Sequence, residues 1–367
     1  MLDAPPDNQL PTRPRKGRGA VTNATGRFEP HATAAFDDGW GTQDEDLPAL
    51  RTTVTEERPK TVITKNNSPD VPFEISLNPY RGCEHGCVYC FARPTHAYQG
   101  LSPGLDFESK LFAKPDAPEI LAKQLRNPRY KVSTLAMGSN TDPYQPIERD
   151  HKITRRILKV LQACNHPVAI VTKSNLILRD LDILAPMAAK GLASVGISVT
   201  SMDRKLSRLM EPRAPTPARR ISAIRALVDA GVPVAAMVAP IVPAINDHEI
   251  ENILAAVSGA GAEAADYILL RLPLEVGDLF TEWLETHYPD RAKKALSRMA
   301  GQRGGRMYNA QWGERMRGSG PFADLLAKRF QVACKQLGLN LRQARERRHR
   351  TDLFEPPLQA GDQLSLF

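Results

Sequence analysis

Three cysteines lie within eight residues of this chain, at Cys83, Cys87 and Cys90. Their spacing is C-x3-C-x2-C, and the aromatic residue Tyr89 directly precedes the last cysteine. A loop this short directs three thiolates toward one small group, and their soft sulfur atoms restrict which metals that group contains. The spacing therefore predicts a three-thiolate metal site.

The residues around the motif bear on the choice between zinc and iron. A structural zinc ion takes four protein ligands, often from two separated pairs. Cys164 and Cys334 are distant in sequence, and neither His85 nor His96 supplies the usual second pair. Three sulfurs without an obvious fourth suit a [4Fe–4S] cluster with one open iron, although an ordinary cluster takes four cysteines. A zinc knuckle or a group of buried thiols remains the alternative.

The composition is that of a folded protein with one large core plus appendages: 367 residues, 42% of them hydrophobic and 25% charged. No apolar run approaches the roughly 18 residues of a membrane span, and no signal peptide is indicated. Five cysteines, three of them clustered, disfavour a secreted disulfide framework, so we predict a cytoplasmic location. The net charge of +8 favours an anionic partner without identifying it.

From about residue 73 the chain alternates between short apolar runs and amphipathic stretches. The predicted strands are Phe73–Leu77, Val132–Met137, Pro167–Thr172, Ala193–Val199, Val232–Val238 and Tyr267–Leu272. The predicted helices are Ala117–Leu125, Ile153–Ala163, Asp180–Ala189, Pro217–Ala230 and Asp247–Ala260. This alternation predicts consecutive βα units in a parallel sheet. The pattern alone leaves a barrel and an open doubly wound sheet as alternatives.

Polar residues follow these strands at the end where α/β folds carry their chemistry. The candidate ligand-binding residues are Gly138, Ser139, Asn140, Asp142, Lys173, Ser198 and Thr200. Glycine lets a backbone approach a ligand closely, and the Lys173 ammonium is either paired with a carboxylate or available for an anion. The same residue types also end strands and cap helices, which is the structural alternative for each of them.

The C-x3-C-x-aromatic-C motif after an apolar strand resembles the signature of the radical S-adenosylmethionine (SAM) enzymes. The resemblance implies a partial (β/α)6 barrel of the TIM type and a [4Fe–4S] cluster held by Cys83, Cys87 and Cys90. It also implies that SAM chelates the open iron and that reduction yields a 5′-deoxyadenosyl radical. An electron donor such as flavodoxin or ferredoxin is then expected. Gly138 matches the position that receives the methionine amino group, and Ser198 and Thr200 match positions that contact ribose and carboxylate.

Within that superfamily, the run Asn140-Thr141-Asp142-Pro143-Tyr144 makes the chain similar to the spore photoproduct lyase-like group, over much of residues 15–340. That resemblance implies a nucleic-acid substrate, DNA or RNA, in DNA repair or base modification. The lyase returns hydrogen from a cysteine after the second strand, where this chain has Ser139, so the lyase reaction itself is doubtful. Tyr89, Tyr98 and Tyr144 are the candidate substitutes. A tRNA, peptide or metabolite substrate, and a non-catalytic metal-binding protein associated with DNA, are the alternatives.

The regions flanking the core differ from it in composition. Residues 1–60 contain few large apolar side chains and are predicted to be mostly disordered. Residues 61–274 form the predicted radical SAM core, and residues 275–350 form a helical basic extension. Its centre, residues 303–320, interleaves glycines and arginines with Tyr308 and Trp312, which fits a phosphate-binding or stacking surface or, equally, an αα-hairpin.

Residues 351–367 are predicted to be a flexible tail with an apolar tip. Its last five residues, Gln363-Leu364-Ser365-Leu366-Phe367, resemble the peptide by which bacterial replication and repair proteins bind the DNA sliding clamp. In that resemblance Gln363 hydrogen-bonds at the pocket rim, while Leu364, Leu366 and Phe367 form the apolar part of the peptide. A terminal position on a linker is sterically suited to tethering.

Overall fold

The six predicted strands form the parallel part of one sheet in the computed structural model, which describes residues 14–31, 50–346 and 348–358. The strands are β1 (Thr53–Glu56), β2 (Thr64–Lys65), β3 (Ile75–Leu77), β4 (Tyr80–Arg81), β5 (Lys110–Ala113), β6 (Leu135–Met137), β7 (Val168–Thr172), β8 (Ala193–Ser198), β9 (Val234–Ile241) and β10 (Ala264–Leu269).

The large sheet has the order β10-β9-β8-β7-β6-β3-β2, and only β2, at one edge, is antiparallel to its neighbour. Each new parallel strand joins the same side of the preceding one. A doubly wound sheet reverses direction at a switch point, and this sheet does not, so consecutive right-handed crossovers curl it into a partial barrel. The predicted α/β fold, a partial (β/α)6 barrel, is confirmed.

The helices, in chain order, are α1 (Asp106–Ser109), α2 (Ala117–Leu125), α3 (Glu148–His151), α4 (Ile153–Ala163), α5 (Leu181–Ala189), α6 (Arg204–Met210), α7 (Pro217–Asp229), α8 (Ile250–Gly259), α9 (Val276–His287), α10 (Pro289–Gly301), α11 (Pro321–Gln336) and α12 (Arg342–Glu346). Of these, α5, α7 and α8 pack against strands of the large sheet. Short 3-10 helices span Arg93–Gln99, Asn175–Asp180 and Asp247–Glu249.

The helical boundaries follow from local chemistry. In α4 the buried residues Ile153, Ile157, Leu158 and Leu161 recur at helical spacing and turn one face to the sheet. Pro217 begins α7, because proline at the first helical position sacrifices no intrahelical hydrogen bond. The predicted bounds of α2 and α4 coincide with those observed.

A second, three-stranded sheet of order β1-β5-β4 supports the cysteine loop. Strand β4 leads directly into that loop, and β4 pairs antiparallel with β5. The Cys83 amide donates to the Phe107 carbonyl oxygen at 3.0 Å, which fixes the loop's first cysteine to α1. The main barrel and the small sheet therefore hold the motif from two sides.

Part of the N-terminal segment lies against this loop. The Gly19 and Ala20 amides donate to the Glu108 carboxylate at 2.9 and 2.8 Å, and Arg18 Nη1 donates to the Glu108 carbonyl at 2.7 Å. A Cβ on Gly19 would stand 1.8 Å from the Gly86 carbonyl oxygen. Residues 14–31 thus differ from the disordered segment that composition predicts, because Glu108 supplies partners that a composition argument does not see. Residues 1–13 and 32–49 lie outside the described part.

The helical extension contains α9 to α12, and several of its arginines bind the protein itself. Arg303 donates to the Met299 and Leu270 carbonyls, Arg315 pairs with Asp70, and Arg317 lies over the Tyr267 ring at 4.1 Å. These three are therefore not available to form the phosphate-binding surface that their spacing suggests. No helix among the described residues combines the length and hydrophobicity needed to cross a bilayer.

The first part of the predicted flexible tail lies across the end of the barrel where the strands begin. Phe354 packs against Tyr130 and His166, with ring centroids 5.8 and 5.4 Å apart. Arg126 Nη1 donates to the Pro357 carbonyl at 2.7 Å. The predicted clamp-binding residues Gln363, Leu364, Leu366 and Phe367 lie outside the described residues.

Candidate functional site

A cavity of about 960 Å³, counted to its open mouth, lies at the carboxyl ends of the parallel strands. The cysteine loop forms one wall and the strand ends form the others. The lining residues are Cys83, His85, Cys87, Tyr89, Cys90, Phe91, Gly138, Asn140, Asp142, Val171, Thr172, Lys173, Ser198, Met237, Ala239, Pro240, Ile268, Leu269, Leu270 and Arg271.

Arg93 organises the cysteine loop from behind. This fully buried side chain donates to the carbonyls of Cys87 at 2.9 Å and Gly86 at 3.3 Å. It also pairs with the buried Glu108 carboxylate at 2.5 Å. A buried guanidinium needs both a counter-charge and several acceptors, and here the loop's own backbone supplies the acceptors. The path of the loop is thereby fixed independently of any ligand.

The three thiols line the same cavity, and burial raises the pKa of each. The pKa of Cys83 is raised well above its usual value by burial and by the charge of Asp142, and that of Cys87 is raised to about 12. Burial also raises the pKa of Cys90. Three such thiols become thiolates only beside a strong positive charge, which a bound metal provides.

This donor set fits an iron–sulfur cluster, in which each thiolate binds its own iron. Within the described part of the chain, no three His, Cys, Asp or Glu side chains converge closely enough to hold one metal ion. A tetrahedral zinc site requires such convergence, because every sulfur lies about 2.3 Å from the same atom. Three thiols that line one cavity are nevertheless the donor set that a [4Fe–4S] cluster with one open iron requires.

Asp142 connects the ends of two strands with the cysteine loop. Its carboxylate accepts from the Thr172 hydroxyl at 2.6 Å and from the Lys173 amide at 2.8 Å. His85 Nδ1 stands 3.3 Å from the same carboxylate, at ion-pair distance but without hydrogen-bond geometry. Burial alone would raise the pKa of Asp142, but His85 and these donors lower it to about 2. Asp142 therefore lines the cavity as an ionised carboxylate, and its hydrogen bonds connect the chain after β6 with the end of β7.

Lys173 extends from the end of β7 toward the cysteines. Its ammonium lies 5.7 Å from the centroid of the Tyr89 ring, and no carboxylate of the described residues forms an ion pair with it. Burial would lower the pKa of Lys173, yet Cys87 and Glu211 raise it above its ordinary value. Lys173 therefore stays protonated, and its ammonium is a positive charge beside the thiols.

Tyr89 is held by a buried ionic network under the loop. Its hydroxyl donates to Glu211, which also accepts from the Thr200 hydroxyl at 2.6 Å and pairs with Arg220. Burial would raise the pKa of Glu211, but Arg220 and Lys173 lower it to about 2. The ring of Tyr89 therefore faces the cavity in a fixed position while its hydroxyl points away into the network.

Of the seven predicted ligand-binding residues, five line the cavity: Gly138, Asn140, Asp142, Lys173 and Ser198. Gly138 has a φ of +84°, and a Cβ there would stand 1.9 Å from the Val171 carbonyl oxygen. Its close approach is thus to the neighbouring strand. The Ser139 hydroxyl instead accepts from Asn78 Nδ2 at 3.3 Å, and Thr200 belongs to the network beneath Tyr89.

The three tyrosines predicted as radical carriers are separated by the fold. Tyr89 alone lines the cavity. Tyr98 is 68% exposed and packs on Phe28, with ring centroids 5.2 Å apart. Tyr144 is completely buried, and its hydroxyl donates to Asp180 at 3.1 Å. The geometry therefore keeps only Tyr89 as a candidate within reach of a ligand in the cavity.

Arg271 in the cavity and Arg93 behind the cysteine loop are two charged residues that the sequence-based candidate set does not include. Arg271, at the end of β10, lines the cavity and holds its guanidinium 5.0 Å above the Phe91 ring. The signal for it was its position directly after the sixth strand. Arg93 had no usable signal, because its partner Glu108 lies 15 positions further along the chain and meets it only in the folded protein.

Comparison with protein families identifies the barrel. The family described as the Radical SAM superfamily matches residues 77–257. Proteins of Mycobacterium tuberculosis and Mycobacterium bovis, both described as uncharacterised, are 36% identical over 226 residues. That match covers 61% of this chain and 66% of each of them, slightly less than two thirds of their length. An uncharacterised protein of Methanocaldococcus jannaschii is 29% identical over 215 residues, covering 58% of this chain and 76% of that protein.

Solved structures show the same fold. Spore photoproduct lyase complexed with dinucleoside spore photoproduct superposes with a TM-score of 0.55 and 17% identity, covering 78% of this chain and 80% of that one. A Y98F mutant of the lyase gives a TM-score of 0.54 at 18% identity with the same coverage. At this level of identity the similarity concerns the fold.

Proposed function

We propose that this protein cleaves SAM reductively and abstracts a hydrogen atom from a substrate held in the cavity, because residues 77–257 match the Radical SAM superfamily. Cys83, Cys87 and Cys90 would hold a [4Fe–4S] cluster. When bound, that cluster supplies the electron that breaks the sulfonium bond, and SAM supplies the 5′-deoxyadenosyl radical. The electron itself comes from an external donor of the flavodoxin or ferredoxin type.

The chain's own residues orient the cofactor. Lys173 presents a positive charge beside Cys87 and suits the methionine carboxylate. Asn140 and Ser198 offer polar groups at the ends of β6 and β8, and the Tyr89 ring gives a flat apolar wall for the adenosyl part. Met237 and the Ala239–Pro240 pair extend that apolar wall and exclude water from the reacting centre.

The observation that carries the proposal is the common cavity. Three thiols, two of them buried and that of Cys90 partly exposed, face it together with the Lys173 ammonium and the carboxyl ends of the parallel strands. The test is anaerobic reconstitution with iron and sulfide, followed by dithionite and SAM. We expect 5′-deoxyadenosine to form, and its absence from protein that contains the cluster would refute the proposed activity.

We further propose a nucleic-acid substrate. The net charge of +8, the open mouth of the cavity and the fold shared with spore photoproduct lyase support it. Ser139 does not line the cavity and its O–H bond is too strong for efficient hydrogen return, so the reaction differs from that of the lyase at its last step. Salt-dependent retention on immobilised DNA tests this proposal. Retention that does not respond to salt would favour a peptide or metabolite substrate.

The C-terminal peptide is proposed to bind a DNA sliding clamp. The described part of the tail, residues 348–358, lies at the end of the barrel opposite the cavity. Tethering of this kind raises the local concentration of DNA without a tight intrinsic DNA site. Deletion of residues 363–367 should abolish clamp binding in a gel-filtration assay while 5′-deoxyadenosine formation continues. Clamp binding by the truncated chain would refute this assignment.

A further inference from the structure

Two cationic side chains line the cavity besides its histidine, and they stand on opposite sides of its mouth. Lys173 follows β7, in the middle of the sheet, and Arg271 follows β10, at the edge. The Lys173 ammonium lies near Cys87 and Tyr89, where the cofactor carboxylate is proposed to bind. Arg271 lies three strands away, beside the open side of the barrel. The second cation is therefore not needed for the same carboxylate.

Arg271 forms no ion pair among the described residues, in contrast to the arginines around it; the nearby Asp70 carboxylate, whose pKa Arg271 helps to lower, is already paired with Arg315. Arg315 forms an ion pair with Asp70, Arg317 forms one with Asp266, and Arg303 donates hydrogen bonds to backbone carbonyls. Within the described part of the chain, the hydrogen bond that Arg271 makes is a long one, from Nη2 to the Tyr308 hydroxyl at 3.5 Å. Its Nε atom is buried and has no hydrogen-bond partner.

A buried guanidinium nitrogen without an acceptor raises the free energy of the folded protein, because it has lost its hydrogen bonds to water and has no protein acceptor in their place. A ligand with two adjacent anionic oxygens would restore these hydrogen bonds by accepting from two guanidinium nitrogens at once. The Phe91 ring beneath Arg271 keeps the guanidinium plane at the mouth and is itself 43% exposed, so an aromatic surface adjoins the cation. A charged oxygen pair next to a flat ring is the chemistry of a nucleotide.

We propose that Arg271, with Tyr308 beside it, binds a backbone phosphate of a single-stranded or flipped-out nucleotide and so places the substrate at the cavity mouth. This proposal rests on the proposed radical SAM function and its nucleic-acid substrate, which it extends by naming the residue that recognises the substrate and the group that this residue binds. Arg271 stands at the sheet edge, where a polymer can pass the open side of the barrel without entering it. In this arrangement Lys173 binds the cofactor and Arg271 binds the substrate.

The test uses the reconstituted holoprotein and two fluorescein-labelled decathymidylates, one with phosphodiester and one with uncharged methylphosphonate linkages. Wild-type protein should bind the phosphodiester probe more tightly in fluorescence anisotropy. Arg271→Gln should weaken that binding about 10- to 100-fold, the range for a lost charge-assisted hydrogen bond, and lower the salt slope by about one. Its binding of the methylphosphonate probe should change less than about twofold, the scale of a surface substitution.

Arg219→Gln is the matched control, because Arg219 is an exposed arginine on α7 that does not line the cavity.

Should Arg271→Gln fail to fold, Arg271→Lys replaces it. The lysine keeps the charge but cannot donate two parallel hydrogen bonds, so we expect about a 3- to 10-fold loss of affinity for the phosphodiester probe. Equal loss with both probes, unchanged binding by the variants, or a wild type that does not distinguish the probes would overturn the proposal. Formation of 5′-deoxyadenosine by wild-type protein without oligonucleotide is measured in parallel, so failure of the underlying function is recognised separately.

Discussion

Each end of the barrel holds a tyrosine hydroxyl against a titratable side chain, but only the pair at the cavity end is ionised. At the cavity end, Tyr89 donates to Glu211, which is ionised and paired with Arg220. At the other end, the Tyr130 hydroxyl lies 2.7 Å from His166 Nε2, and Phe354 packs on both rings. Burial lowers the pKa of His166 to about 4, so that site is neutral near pH 7.

The difference indicates which end does chemistry. A buried ion pair is seldom more stable than a well-packed apolar replacement, so its presence under the cysteine loop calls for a role other than stability. The network sets the position of Tyr89 and places Lys173 in a field that keeps it protonated. The neutral end closes the barrel with aromatic packing. Residue types alone do not separate the two ends, since each has a cysteine, a tyrosine and a histidine.

The largest contrast is expected between two buried cysteines. Cys87→Ala removes one of three cluster ligands, so the bound iron and 5′-deoxyadenosine formation should fall below detection. Cys164→Ala, at the neutral end, should retain both, because Cys164 only donates to a helical carbonyl. Iron analysis and chromatography of the nucleoside products measure the two outcomes. Equal iron content in the two variants would remove the distinction between the ends.

Substitution of the buried acid should be the most destabilising single change outside the motif. Glu211→Gln leaves Arg220 buried without its counter-charge, which should cost about 3–5 kcal/mol. Tyr130→Phe removes one neutral hydrogen bond and should cost about 1 kcal/mol. Denaturant unfolding of the cluster-free proteins measures both free energies. A smaller loss of unfolding free energy for Glu211→Gln than for Tyr130→Phe would contradict the buried ion pair between Glu211 and Arg220.

Lys173 should affect the cofactor more than the fold. Lys173→Met keeps the length of the side chain but removes the charge, so SAM affinity should fall about 10- to 100-fold. Lys190→Met is the matched control, since that ammonium only contacts Asn165 on the surface. Equilibrium dialysis with labelled SAM on the reconstituted proteins measures the affinities. Identical dissociation constants for the two variants would contradict the assignment of Lys173.

The smallest effect should be a pH dependence from the neutral end. In the unfolded chain His166 titrates near pH 6.5, but in the folded protein only near 4, so between these values the unfolded state alone binds the proton. The free energy of unfolding therefore falls as the pH falls from 6.5 toward 4, by about 2 kcal/mol at pH 5. His166→Gln should remove this contribution, measured as the difference in unfolding free energy between pH 7 and pH 5. The depressed pKa of Glu211 acts in a lower window, below about pH 4.5. An unchanged difference in His166→Gln would contradict the burial of this imidazole.

The barrel was predictable because its information is local. Apolar runs such as Ala193–Val199 and amphipathic stretches such as Ile153–Ala163 each specify an element, and their alternation specifies the order of the sheet. The cluster ligands were predictable for the same reason, since three cysteines in one loop need no folding to be neighbours. Strand bounds were predicted less well: the second strand was predicted from Val132 but begins at Leu135, and the sixth was predicted from Tyr267 but begins at Ala264, because backbone pairing rather than hydrophobicity sets where a strand begins.

Long-range polar contacts were not predictable in this way. Arg93 and Glu108, Asp142 and His85, and Tyr89 and Glu211 each join residues that only the folded chain brings together. Composition also misjudged residues 14–31, since a segment with few large apolar side chains still finds hydrogen-bond partners in a neighbouring carboxylate. The free Arg271 became visible only when the pairing of its neighbours was known.

The most direct measurement of the central claim is electron paramagnetic resonance of the anaerobically reconstituted, dithionite-reduced protein with and without SAM. An iron site left open by three thiolates predicts a reduced [4Fe–4S] signal that changes its g-values when SAM is added, and a loss of that signal in Cys87→Ala. Zinc in place of iron, or a cluster signal that SAM leaves unchanged, would contradict the account.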